Sequence, residues 1–295
     1  MRFGIFLATA AAAALTLGCQ ASTSTAPIDA APPPIARPAA PAEWAAFMNG
    51  YIEETFRANP PFAVVAGRHE FDGQLPDWTP RGLTAERARL KAAIATAQSF
   101  DASLLTPAER FQRDYLIAQA RGTLFWLETA DQPHTNPAYY SGSFDPSVYV
   151  TVPYAAPEVG LRAYTGYLRS VPAAARQMQA NLRVPLPISF VDYGRSAFGG
   201  YADYYVGDGM AAFEGVGTAA DQAALKTASE AASAAMKQVV AWIEAQRAQA
   251  GTNFALGADR FSQMLRDTEM VDIPLDQLEA IGRVDLGSNQ QQLRD

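Results

Sequence analysis

A chain of 295 residues, 49% of them apolar, holds enough material for one large or two ordinary domains and for a well-buried core. Its formal net charge of -7, with acidic and basic residues intermixed and no basic stripe, argues against a nucleic-acid surface. The single cysteine excludes an intramolecular disulfide, so the folded part must stand on its core alone.

Residues 1–18 read as an export signal, with Arg2 as a short positive region, Phe3 to Leu17 as a continuous apolar run, and Gly18 before Cys19. The run is too short to span a bilayer. Leu15-Thr16-Leu17-Gly18-Cys19 resembles a bacterial lipobox, which makes Cys19 the expected lipidation site and a lipid anchor the expected link to the membrane. The other reading is an ordinary cleaved signal with an incidental cysteine. Gln20 is not the aspartate that such signals use for inner-membrane retention, so the expected address is the outer membrane, facing the periplasm. Residues 19–42 are rich in alanine, proline, serine and threonine around Pro32-Pro33-Pro34, the composition of a tether that cannot bury a core. The helical domain is expected over 43–295.

Trp44, Phe47, Met48, Tyr51, Thr55 and Phe56 share one helical face, which Asn59-Pro60-Pro61 brings to an end. A loop, GRHEFDGQLPDWTP, precedes a helix over Leu83 to Phe100 with Leu90, Ile94 and Ala97 inward. Thr106-Pro107-Ala108-Glu109 is a capping box that starts the next helix, which carries Phe111, Tyr115, Ala118, Gly122 and Phe125 to about Thr129. Gln132 to Pro153, with several prolines and aromatics and no period, reads as a long ordered loop or a series of short turns.

Leu161, Tyr164, Leu168, Val171, Ala175, Met178 and Leu182 recur at helical steps, and Pro172 is expected to split Leu161 to Leu186 into two helices capped near Ser170 or Val171. Arg162, Arg169, Arg176, Gln177, Gln179 and Arg183 fall on the wetter side. Further helices are expected over Ser189 to Tyr205, Thr218 to Ala250, Phe254 to Glu269, and Leu275 to Arg294 after Pro274. No segment alternates like a strand and no repeat of fixed period appears. The fold class is therefore mainly α, a multi-helical array.

Chemistry-bearing patterns are sparse. His69 and His134 are the two histidines, and His69-Glu70 starts like a zinc-peptidase motif but has Gly73 where the second histidine would fall. Ordinary loop hydrogen bonding is the expected role of both. Gly194-Arg195-Ser196-Ala197-Phe198 lacks the second glycine of a nucleophile elbow, and Asp203 to Glu214 has the length but not the ligands of a calcium loop. Glu53-Glu54 reads as solvated helix surface. Tyr193, Tyr201, Tyr204 and Tyr205 fit a packed face or, alternatively, a peptide or sugar groove.

The ordered series PPFAVVAGRHEFDGQLPDWT, the capped helix with DYL, NPAYY, YLRSVPAAARQMQANL and FALGADRFSQML resembles the bacterial family known as domain of unknown function 885. The resemblance covers 43–295 and implies an exported, largely helical protein related to thermolysin-like zinc metallopeptidases. In such proteins the zinc site goes with a His-Glu-x-x-Pro-Gly-His motif in the C-terminal half. That motif is absent here, so no catalytic, cofactor-binding or metal residue carries over to any position, although zinc is expected for the full-length family. The matching part is the N-terminal half, which in such folds forms one wall of a substrate cleft. The last helix reaches Arg294-Asp295 without a stop signal. The expectation is thus an incomplete part of a larger metallopeptidase-like fold, inactive alone, whose partners would be a membrane, a peptide substrate or the missing C-terminal half. A stand-alone, non-enzymatic binding or scaffold lipoprotein is the alternative, using Thr135 to Tyr154 for recognition.

Overall fold

A computed structural model of the protein describes residues 42–294, and every regular element among them is helical. Cys19, the signal and the tether up to residue 41 lie outside the described residues. The principal helices are α1 (Ala42–Ala58), α2 (Pro60–Val65), α3 (Pro80–Ser99), α4 (Pro107–Leu124), α5 (Pro157–Asn181), α6 (Ile188–Val206), α7 (Ala219–Glu244), α8 (Ala258–Glu269) and α9 (Leu275–Gln292).

Their starts follow from local chemistry. Thr79 caps α3 by accepting from the Gly82 N–H at 3.1 Å, with Pro80 supplying the fixed φ of the first turn. At α4 the Thr106 hydroxyl oxygen accepts from the Glu109 N–H while Glu109 accepts from the Thr106 N–H at 2.8 Å, the reciprocal box expected from sequence. Thr218 and Asp221 repeat that arrangement at α7. The helix over 107–124 continues as a π-turn over Phe125–Thr129, and α7 stops at Glu244, short of Ala250, with a 3-10 turn over Arg247–Gln249 after it.

Pro172 does not split α5. The helix runs unbroken from Pro157 to Asn181 with the proline inside it, and Ser170 caps nothing: its hydroxyl donates to the Gly73 carbonyl at 2.6 Å. Magnitudes explain the outcome. An interior proline costs about 3 kcal/mol. Leu161, Tyr164, Leu168, Val171 and Met178 are at most 1% exposed, and burying each contributes roughly 1.5–3 kcal/mol. A single rigid face meeting α6 and α7 outweighs the lost backbone hydrogen bond.

That face lies at the centre of the main core, where Phe198 and Tyr205 of α6 and Leu225, Ala232, Met236 and Val239 of α7 are also sealed from solvent. Alanines 174, 175, 228 and 232 are buried there, which lets the helices approach closely. A smaller set of apolar contacts joins α1, α3 and α4 through Met48, Tyr51, Ala93, Ala97, Leu116 and Ile117. The loop around Trp78 and the segment from Gln132 to Thr151 join the main core, and the segment forms short helical turns over Gln132–Thr135, Ala138–Ser141, Gly142–Phe144 and Ser147–Thr151. Tyr140, Phe144 and Tyr149 of that segment are buried, and the Trp78 ring meets Tyr140 edge-on at 4.7 Å.

The last two helices differ from the rest. α8 packs on α4, whereas no residue of α9 is buried, and Ile281, Val284 and Leu286 are 52%, 75% and 57% exposed.

Candidate functional site

The two histidines occupy separate places. His69 lies on a 3-10 turn, its Nδ1 3.2 Å from Asp72 Oδ1 and its ring stacked on Tyr154 at 3.5 Å, while the Tyr154 hydroxyl donates to Asp72 Oδ2 at 2.9 Å. Gly73, where a zinc peptidase would place its second histidine, sits at φ +78°, in a turn and not on a helix. A Cβ there would also lie 3.1 Å from the backbone of Gly166 and Tyr167 in α5. His69 is therefore loop architecture, as its surroundings in the sequence suggest.

His134 has a different setting. It lines a cleft of about 630 Å³, a volume suited to a small ligand, bounded by Trp126 of the π-turn, residues 183–187, Phe190 of α6, the stretch 249–256 and Arg260 of α8. Asp131 precedes it at φ 50°, a left-handed conformation that aspartate tolerates better than most residues. Its Oδ1 lies 2.5 Å from His134 Nδ1 and its Oδ2 2.9 Å from Arg183 Nη2, with Arg87 Nη2 4.0 Å away on the other side. One carboxylate thus fixes both an imidazole and a guanidinium, and leaves Nε2 as the ring nitrogen open to a ligand.

Backbone bonds hold the walls. The Arg183 N–H donates to the His134 carbonyl at 2.9 Å, and the Ile188 N–H donates to the Gly251 carbonyl at 2.8 Å, tying the start of α6 to the segment after α7. Val184-Pro185 is a cis peptide in this wall. Behind it, the Tyr140 hydroxyl donates to the Pro133 carbonyl at 2.5 Å and receives from Asn181 Nδ2 at 3.2 Å. Burial pushes the Tyr140 phenol well above its ordinary pKa, so it stays a neutral donor. The basic lining consists of Arg183, Arg260 and His134, with no carboxylate among the lining residues. The hydroxyl of Thr135 donates to the carbonyls of Ala130 and Asp131, which commits its proton within the turn.

Other sequence candidates resolve as structure. Ser196 is on the exposed side of α6, and Asp203 to Glu214 is the end of α6 followed by a helical turn over Asp208–Ala211. Glu53 pairs with Arg68 at 2.6 Å, and Glu54 is exposed. Tyr205 is fully buried and donates to the Phe144 carbonyl at 2.6 Å, with Tyr201 stacked on it at 6.3 Å. Tyr204 is half-buried, and Tyr193, 42% exposed, shares a 2.7 Å hydrogen bond with Ser141. Packing, not a groove, is what Tyr201 and Tyr205 do.

Among the described residues no group of three or more His, Cys, Asp or Glu is placed to hold a metal ion, so the residues present do not fit a zinc site. No described helix is long and apolar enough to cross a membrane. Asp131, Arg183 and Arg260 were not singled out as site residues from sequence. The Asp-x-x-His spacing of 131 and 134 was the available local signal, while the arginines come from distant segments.

No curated protein matches the chain. Among solved structures, a candidate lipoprotein of unknown function from Shewanella oneidensis superposes with a TM-score of 0.73 at 21% identity, which shows a shared fold. The match covers 82% of this chain but 45% of that protein, so this chain spans less than half its length. Residues 60–295 match the family described as bacterial protein of unknown function, DUF885. The chain, helical throughout its regular elements and matched over most of its length, belongs to the DUF885 family.

Proposed function

We propose that this chain is the helical N-terminal portion of an exported lipoprotein, anchored through Cys19 to the outer membrane and facing the periplasm, with its His134 cleft serving as a ligand-binding wall. In the metallopeptidase-like reading, zinc and the catalytic groups belong to a C-terminal half that this chain does not carry, and the chain alone does not hydrolyse peptides. The observation that carries the reading is the pairing of a closed core around α5 to α7 with the exposed Ile281, Val284 and Leu286 of α9. Ile281 and Val284, three residues apart, share one side of α9, and an apolar side left in solvent is a contact surface awaiting a partner. The partial span of the Shewanella oneidensis structure supports the same reading.

The test is made on the purified chain. It should bind a hydrophobic dye, lose that binding when Ile281, Val284 and Leu286 are changed to serine, and show no zinc-dependent peptide hydrolysis. Stoichiometric zinc binding with turnover would overturn the inactive-portion reading. In cells, radiolabelled palmitate should enter the protein and fail to enter Cys19→Ser; label retained in that variant would remove the anchor. The second reading, a stand-alone helical binding lipoprotein, is favoured by the completeness of the α5–α7 core. It predicts sharp thermal unfolding with no dye uptake.

A further inference from the structure

We infer that the cleft selects its ligand by a free carboxylate, and that the ligand is a short peptide presenting its C-terminal carboxylate to Arg183, Arg260 and His134; this rests on the reading of the cleft as a ligand-binding wall.

The first argument is charge. In a chain of formal net charge -7, this cleft is lined by two arginines and a histidine and by no acidic side chain. Asp131, part-exposed beside the lining residues, is the one carboxylate in the cluster, and it is shared among His134 at 2.5 Å, Arg183 at 2.9 Å and Arg87 at 4.0 Å. Arg260, exposed on α8, makes no ion pair among the described residues. Positive charge therefore exceeds negative at the cleft surface, and an anionic group entering it relieves an imbalance that the protein leaves open.

The second argument is shape and donor type. A guanidinium presents a planar fork of N–H donors that matches a carboxylate in two parallel hydrogen bonds. Arg183 uses one Nη on Asp131, and Arg260 retains its whole fork. Beside them stand the carboxamides of Gln132, Gln249 and Asn253, which make no side-chain hydrogen bond within the described residues and can meet both the N–H and the C=O of a peptide. Trp126 and Phe190 supply apolar wall for a side chain. Cations, carboxamides and aromatics in one cleft match the three parts of a peptide end: carboxylate, amide backbone and side chain.

The full chain is titrated with N-acetyl-Ala-Ala-Phe, with its C-terminal amide, and with N-acetyl-Ala-Asp-Ala-amide, following heat release. The free acid should bind roughly tenfold or more tightly than its amide, the scale of a hydrogen bond to a charged group. Arg260→Gln, a change at an exposed side chain, should weaken the acid several-fold and leave the amide unchanged, and Arg260→Lys should recover part of the loss. Equal binding of acid and amide would overturn carboxylate selection while leaving the cleft a binding site. Failure of both peptides to bind at millimolar concentration would overturn the cleft reading itself. Binding of the aspartate peptide amide as tightly as the free acid would overturn the C-terminal assignment. Displacement of the free acid by an equal concentration of inorganic phosphate would reduce the site to a general anion site.

Discussion

Asn181 tests how the site is held. It ends α5, is 8% exposed, and its Nδ2 donates to the Trp78 carbonyl at 2.7 Å and the Tyr140 hydroxyl at 3.2 Å. Tyr140 passes the connection to Pro133, next to His134, so one side chain ties α5, the Trp78 loop and the cleft together. Asn181→Ala removes two hydrogen bonds with net contributions of about 0.5–1.5 kcal/mol each and strands the Trp78 carbonyl, a loss of about 1–3 kcal/mol. The contributions overlap, so the expected destabilisation is about 2–4 kcal/mol. For a domain of this size that lowers Tm by roughly 4–16 °C. Urea unfolding followed by circular dichroism should show a lower midpoint at an unchanged slope. Tyr140→Phe breaks the same chain at its next link, so the double variant should lose less than the sum of the singles. An Asn181→Ala loss below about 0.5 kcal/mol would show that water or a neighbouring group replaces these bonds and would refute the reasoning.

Two further tests address packing and electrostatics. The Tyr164 hydroxyl is buried without a hydrogen-bond partner among the described residues, and a Cβ on Gly209 would collide with it. Tyr164→Phe should therefore be neutral or raise stability by about 1 kcal/mol, Gly209→Ala should destabilise, and the double variant should recover part of the loss; a marked loss in Tyr164→Phe would refute this. Asp221 accepts the Thr218 N–H and hydroxyl, which holds its pKa below the ordinary aspartate value of 3.8. A folded pKa that is depressed gives stability present above 3.8 and lost as pH falls through the folded value, so Asp221→Asn should flatten the acid limb of the stability profile and an unchanged limb would count against the cap.

Much of the helical framework was legible because its signals are local. The reciprocal bonds of Thr106 and Glu109 join residues three apart, and the spacing of Tyr164, Leu168 and Met178 places them on one face whatever that face later meets. Pro172 departs from its local signal for the same reason. Its local cost was visible, but the compensating burial comes from α6 and α7, far away in the chain. The segment after Gln132 was open between a loop and short turns because its buried anchors, Tyr140 and Phe144, follow no period.

The sequence by itself determined the helical class, the capped starts at Thr106 and Thr218, the inward face of α5 and, through an ordered set of motifs, the family. Tertiary structure decided the rest. It brought Asp131 and His134 against Arg183 and set Arg260 across the same cleft, and it left α9 unburied. The physical reason is range: caps and periodicity act within a helical turn or two, whereas a cleft is the meeting of separate segments whose positions are set by the packing of the whole core.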